Sequence, residues 1–242
     1  MGRRELKFLE SRRLLTLLLA GVFLWSLSTV DWRGPLIHTG GLGAFLDFLA
    51  SLFPPELSPG FLGLALSASW KTLAYAVAGI TLAVLIGFPL GVIASGSVSG
   101  SPRMGLGLAV AVRLILAAMR SIHELVWAVL FVAAFGLSSM TVILALALPY
   151  GGILGRIYGE LFNQVPEGPL RALRSSGASP FRVLLYGRLP MALPDMLGYT
   201  FYRLECAIRS AAVFGFVGIA GLGFQLQLSL DELLYDQVWT LM

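Results

Sequence analysis

The chain has 242 residues, of which 57% are hydrophobic and only 12% charged, and its mean hydropathy is +0.84. A soluble domain carries about a quarter charged residues, so this composition excludes an ordinary water-soluble enzyme and describes a chain solvated mainly by lipid. The net charge of +4 comes mainly from arginines at the ends of apolar runs, which is topology information rather than a nucleic-acid footprint, and the single cysteine, Cys206, excludes an intramolecular disulfide and a CxxC metal site.

Residues 1–13 carry Arg3, Arg4, Lys7, Arg12 and Arg13, and Leu14 to Val30 is then almost wholly apolar. No A-x-A-type site follows, which argues against a cleaved signal peptide. Roughly 17 apolar residues just suffice to cross a bilayer. We therefore read 1–13 as a basic cytoplasmic N-terminus and 14–30 as a first transmembrane helix. Residues 31–68 hold Asp31, Asp47, Glu56 and prolines 35, 54, 55 and 59, and no long apolar run fits there. They read as an external loop in which Leu42 to Phe53 lies along the interface as a short helix. His38 stands alone, is read as solvated, and is assigned no metal.

The core begins at residue 69. Trp70 to Ala94 is a second span, in which Gly79, Ala83, Gly87 and Gly91 recur every fourth residue and so share one face. Small residues on one face let another helix approach closely. Pro89 removes one backbone donor and is expected to bend the helix. Ser95 to Pro102 is a small polar turn inside the cell. Met104 to Gly136 is too long for one simple helix and reads as a third span, broken near Arg120–Glu124. Arg120 and Glu124 are four apart, a spacing at which side chains face each other on a helix. Ionisable groups at membrane depth face protein or a water-filled path, which makes Arg120, His123 and Glu124 candidate path residues.

Ser139 to Gln164 is a fourth span, with a kink expected at Pro149 and Gly151-Gly152 and a pair, Arg156 and Glu160, near its inner end. Met191 to Val213 is a fifth span carrying Asp195, Arg203, Glu205 and Arg209, too many charges for a lipid-facing helix. Glu205 and Arg209 are again four apart and neutralise each other; both join the candidate path. Gly215 to Gly223, GFVGIAGLG, lacks the G-x-x-x-x-G-K-[ST] of a nucleotide loop and reads as a flexible bend on the outer side of the membrane. Asp231 to Met242 starts another helix, but roughly a dozen residues cannot span. The N-terminus, Arg103 and the 166–188 loop are placed in the cytoplasm by positive charge, so odd-numbered spans run outward.

Between the fourth and fifth spans, residues 166–194 read PEGPLRALRSSGASPFRVLLYGRLPMALP, with Arg171, Arg174, Arg182 and Arg188 against one carboxylate, Glu167. Local rules give two short helices around a turn. Pro169 is compatible with the first turn of one helix, Gly177 breaks it, and Ser179-Pro180 starts the next. Leu170, Leu173, Val183 and Leu184 give the pair an apolar side. A basic loop obeying the positive-inside rule is the plain reading; a docking element for a soluble partner is the sharper one.

The spacing Ala172, Gly177, Leu189-Pro190 resembles the cytoplasmic E-A-A loop of membrane subunits of bacterial ABC importers. In that pattern Arg171 stands where the family has Glu and Gly187 where it has Ile. RSIHELVWAVLFVAAFGL (120–137), LPYGGILGRIYGE (148–160), PEGPLRALRSSGAS (166–179) and YRLECAIRSAAVFGFVGIAGLG (202–223) are similar to the phosphonate permease branch. The four ordered matches cover most of 70–235.

The resemblance implies an all-α, polytopic membrane protein of the type I ABC importer permease kind, with five visible spans plus the start of a sixth. It places one more full span after residue 231, so this end is either cut short or carries a degenerate helix. It implies ATPase coupling through Glu167, Arg171, Ala172, Gly177, Ala178, Ser179 and Pro180. It also implies a homodimer in the bacterial inner membrane, two copies of an ABC ATPase, an external solute-binding protein and an anionic phosphorus substrate. This chain would hold no cofactor, since ATP and Mg would bind the partner ATPase, and no nucleic acid. An importer for another small solute is the nearest alternative. A secondary transporter would show repeated halves, and none is found. An intramembrane enzyme would need paired carboxylates on facing helices or a Ser/His pair, and His123 has no nucleophile beside it in sequence.

Overall fold

The computed structural model describes residues 2–30, 32, 41–97 and 102–242, without the side chains of 2–11 and 102–105; His38, Asp31 and the side chain of Arg103 lie outside the described residues. The chain divides into two compact units, 1–50 and 51–242.

The first unit holds α1 (Gly2–Ser28) and α2 (Gly41–Ala50). Side chains at the end of α1 add second donors to its last carbonyls: Ser28 Oγ donates to Trp25 O at 2.7 Å, Thr29 Oγ1 to Ser26 O at 2.7 Å and Trp32 Nε1 to Leu27 O at 2.7 Å. The apolar side chains of Leu14, Leu17, Leu18, Val22 and Trp25 are all exposed. The short helix expected over Leu42 to Phe53 is α2, which ends at Ala50.

The second unit is built on α3 (Pro59–Ala94) and α6 (Ser139–Gln164). Ser58 caps α3 by accepting from Phe61 N at 3.4 Å, and Pro59 occupies its first turn. The helix therefore starts well before Trp70, inside the stretch read as external loop, and at 36 residues is about 54 Å long. The small-residue face of α3 packs on α6. A Cβ added at Gly87 would lie 2.8 Å from Gly151 O, and one at Gly91 would lie 2.7 Å from Gly155 O, so the two backbones touch. On its other side Gly152 admits the helix that carries Leu116: an added Cβ there would lie 2.9 Å from Leu116 O. The glycines expected to kink α6 thus serve close packing on two faces, and the helix continues through Pro149.

The long third apolar stretch is α4 (Pro102–Ser121) and α5 (Glu124–Phe135), bent by 85° at the break. After α6 come α7 (Glu167–Ser175) and α8 (Pro180–Val183). One π-helical turn (Leu184–Arg188) joins α8 to α9 (Leu189–Val213). A 3-10 turn (Phe214–Val217) then leads, through a bend of 45°, to α10 (Leu222–Asp231), followed by α11 (Tyr235–Leu241).

The GFVGIAGLG stretch is tightly packed rather than loose. Leu222 N donates to Thr72 Oγ1 of α3 at 2.9 Å, and an added Cβ at Gly223 would overlap the Ala212 carbonyl. Among the described residues, α3 and α6 are long and apolar enough to cross a membrane, and the two bent pairs raise the number to four if each is one span. The protein is all-α and polytopic.

Candidate functional site

The loop at 166–188 has the geometry its composition predicts. Glu167, in the first turn of α7, complements the helix dipole and pairs with Arg174 at 2.9 Å. The far end of α7 closes as a Schellman motif. Ala178 N donates to Leu173 O at 3.1 Å and Gly177 N to Arg174 O at 3.0 Å, with Gly177 at φ +81°. Ser179 and Pro180 then open α8. The apolar side is buried through Leu170, Val183 and Leu184. Glu167, Arg171, Ala172, Gly177, Ser179 and Pro180 are exposed and Ala178 is half-buried, so the predicted coupling residues lie together on one exposed element.

The departure at Gly187 has a steric reason. A Cβ there would lie 2.8 Å from Leu170 Cδ2 and 2.9 Å from Leu173 Cδ1, so the glycine lets α7 settle onto the π turn. Arg188, which sequence reasoning left out of the site, anchors the loop. Its side chain is only 12% exposed and its Nη2 lies 3.7 Å from Glu167 Oε1. Its Nη1 donates to Ser97 Oγ (2.7 Å), Phe162 O (3.0 Å) and Asn163 Oδ1 (3.3 Å). The available signal was chemical: a guanidinium placed among apolar residues beside the loop needs several acceptors to be held there.

The five predicted path residues fall in three places. Arg120 and Glu124 do not pair, because the break between α4 and α5 removes the continuous helix that the four-residue spacing presumes. Glu124 sits in the first turn of α5 and accepts from Ser210 Oγ of α9 at 2.8 Å. With that proton committed, Tyr150 of α6 is the donor in its 3.1 Å contact with Ser210 Oγ. His123 caps α5, its Nδ1 accepting from Leu125 N at 3.3 Å, while its Nε2 lies 3.7 Å from Glu124 Oε2. Sequence reading found Glu124 but not Ser210 or Tyr150, since neither contact is local.

Glu205 and Arg209 form the predicted pair at 3.2 Å, with side chains 71% and 70% exposed on α9. On the isolated chain they are an open pair, not enclosed by other side chains. Arg203 is held separately. Its Nη2 donates to Tyr199 Oη at 2.6 Å, and its guanidinium lies over the Tyr199 and Tyr202 rings, 5.1 and 5.4 Å from their centroids. Arg120 instead borders a cavity of about 390 Å³ between α4 and α6, together with Arg113 and the Arg156–Glu160 pair, which closes at 2.7 Å as predicted.

A family model for the binding-protein-dependent transport system inner membrane component matches residues 87–242. A phosphite transport system permease protein of Stutzerimonas stutzeri is 34% identical over 212 residues, 86% of this chain and 74% of that protein. A phosphate-import permease protein of Mycolicibacterium smegmatis is 34% identical over 204 residues, 84% of this chain but only 37% of its own length. Among solved structures, a methionine ABC transporter in an inward-facing conformation has a TM-score of 0.68 at 23% identity, covering 76% of this chain and 89% of that one. That likeness concerns the fold.

Proposed function

The chain belongs to the family of binding-protein-dependent transport system inner membrane components, and we propose that it is the permease subunit of an ATP-driven importer of phosphite, phosphonates or related phosphorus oxyanions. The substrate class is supported by the phosphite and phosphate permeases among its relatives. The observation that carries the coupling mechanism is the helix–turn–helix at 167–183, exposed on its polar side and clamped at its base by Arg188.

In this reading the loop seats in a groove of a separate ATPase, which binds ATP and Mg and performs the hydrolysis; this chain catalyses no reaction and carries no cofactor. Two copies of the chain enclose the path, two ATPase subunits engage their loops, and an external binding protein delivers the solute. The N-terminus and the docking loop face the cytoplasm. Glu205 and Arg209 on the exposed face of α9, with His123 and Glu124 at the α5 start, border the path. An anion crossing it needs donors that attract without trapping, and the open Arg209 meets that need better than a buried guanidinium.

The test is reconstitution with the ATPase and the binding protein in nanodiscs, reading ATP hydrolysis. Stimulation by binding protein loaded with phosphite or methylphosphonate is expected. Stimulation only with a zwitterion such as glycine betaine would replace the substrate class and leave the permease role intact. A chain that recruits no ATPase and supports uptake without ATP would sink the reading.

A further inference from the structure

The cavity of about 390 Å³ between α4 and α6 has a composition that packing does not explain. Arg113, Arg120 and Arg156 converge on it, with Asn163 at one end and Gly159 in its wall, against one carboxylate, Glu160. That carboxylate is already taken by Arg156 at 2.7 Å. Arg113 spends its Nε on Ala94 O at 3.0 Å and keeps its two terminal nitrogens free of any hydrogen bond among the described residues. Arg120 forms neither a hydrogen bond nor an ion pair among the described residues. Three guanidiniums and one engaged carboxylate leave the cavity with a surplus of positive charge and a set of unused planar donors. Forked donors of this kind match tetrahedral oxyanions.

Position narrows the ligand. Asn163 lies at the end of α6 from which the docking loop departs, and Ala94 at the end of α3 whose following turn is bonded to that loop through Ser97 and Arg188. Arg156 is two turns further along α6, about 10 Å deeper. The cavity thus spans the depth of one polar interface, where basic pockets between membrane helices meet anionic head groups. Snorkelling alone accounts for single arginines at this level. It does not account for three turned onto one concavity of a size to admit a phosphate group.

We infer that the Arg113–Arg120–Arg156 cavity is a binding site for a phosphorus oxyanion, either the headgroup phosphate of an anionic lipid or a free phosphonate or phosphite. The inference rests on the docking end being the cytoplasmic end, but its test needs no transport. The permease–ATPase complex is purified, and native mass spectrometry counts phosphatidylglycerol and phosphatidylcholine molecules retained after detergent washing. A parallel measurement titrates the complex with methylphosphonate and with phosphite.

Selective retention of phosphatidylglycerol, falling roughly tenfold in Arg120→Gln, identifies a lipid site. Methylphosphonate or phosphite binding with the same dependence on Arg120, and no lipid preference, identifies a free-oxyanion site. Because Arg120 has no partner among the described residues, Arg120→Gln is expected to fold, and thermal unfolding checks it. Arg113→Gln is the second variant, and Arg120→Lys is expected to recover part of the binding. Equal retention of both lipids with no oxyanion binding, or binding unchanged in both glutamine variants, overturns the inference. The importer role is tested separately by stimulated ATP hydrolysis, so either conclusion can fail alone.

Discussion

Arg188 Nη1 donates to Ser97 Oγ at 2.7 Å, joining the base of the docking loop to the turn after α3, 91 residues earlier in the chain. The same guanidinium reaches Phe162 O and Asn163 Oδ1 at the end of α6 and faces Glu167 at the start of α7. One side chain therefore ties together the two central helices and the element proposed to receive the ATPase. A push on α7 has a short, hydrogen-bonded route to the bundle.

Arg188→Ala is expected to cost roughly 2 kcal/mol of stability, because it strands acceptors at a mostly buried site. If the variant folds, ATP hydrolysis should persist while substrate uptake falls, the signature of uncoupling. Arg188→Lys should recover little, since an ammonium cannot fork across acceptors on different elements. Uptake per ATP hydrolysed, measured in proteoliposomes, checks this; an unchanged ratio in Arg188→Ala refutes the strut.

Gly177 offers a second handle on coupling. Its φ of +81° closes the Schellman turn between α7 and α8. A β-branched residue there costs on the order of 1–2 kcal/mol, and more if the turn opens. Gly177→Val is expected to abolish substrate-stimulated ATP hydrolysis, whereas Gly177→Asn, which tolerates the left-handed region, should retain much of it. Wild-type stimulation in Gly177→Val would remove the turn from the mechanism.

Much of this architecture was legible because membrane helices are long and their breaks are chemically marked. Ser139–Gln164 is read with the bounds it has, and the docking loop follows from Gly177 and Ser179-Pro180. The break at 120–124 was also foreseen, but its consequence was not. A four-residue spacing pairs Arg120 with Glu124 only on a continuous helix, and the 85° bend sends Glu124 to Ser210 instead. The early start of α3 was written in Ser58-Pro59, a cap followed by a first-turn proline, and was masked by the proline-rich composition around it. Arg188 shows in the sequence only as a guanidinium among apolar residues, and Ser210 carries no local signal at all, since the partners of both lie far away in the chain.

The seam between two copies can be trapped. Val213 and Phe216, at the end of α9 and in the turn after it, are 40% and 55% exposed on the isolated chain. In a Cys206→Ala background, a cysteine at either position is expected to give a disulfide-linked homodimer upon oxidation in membranes. A strictly monomeric chain within an active complex would overturn the two-copy arrangement.

The exposure of Glu205 and Arg209 changes how Arg209 must be tested. Were the pair buried, Arg209→Ala would strand a carboxylate and confound folding with transport. On the isolated chain both side chains are about seven-tenths exposed, and where they face a water-filled path that penalty is absent. A pair open to water contributes at most about 1 kcal/mol, so with the pair on a water-filled path Arg209→Ala is expected to fold and assemble like the parent. Its uptake then reports directly on the anion. If Arg209 guides a phosphorus oxyanion, uptake should fall roughly tenfold or more while the ATPase stays docked. Glu205→Ala should not share that loss, because it frees the guanidinium and removes a repelling charge from its side. The Arg209→Ala, Glu205→Ala double variant should behave like Arg209→Ala alone. Lysine at 209 should restore part of the uptake, since a cation still faces the path. Normal uptake by a well-folded Arg209→Ala variant removes Arg209 from the path and leaves the pair as a surface feature of α9.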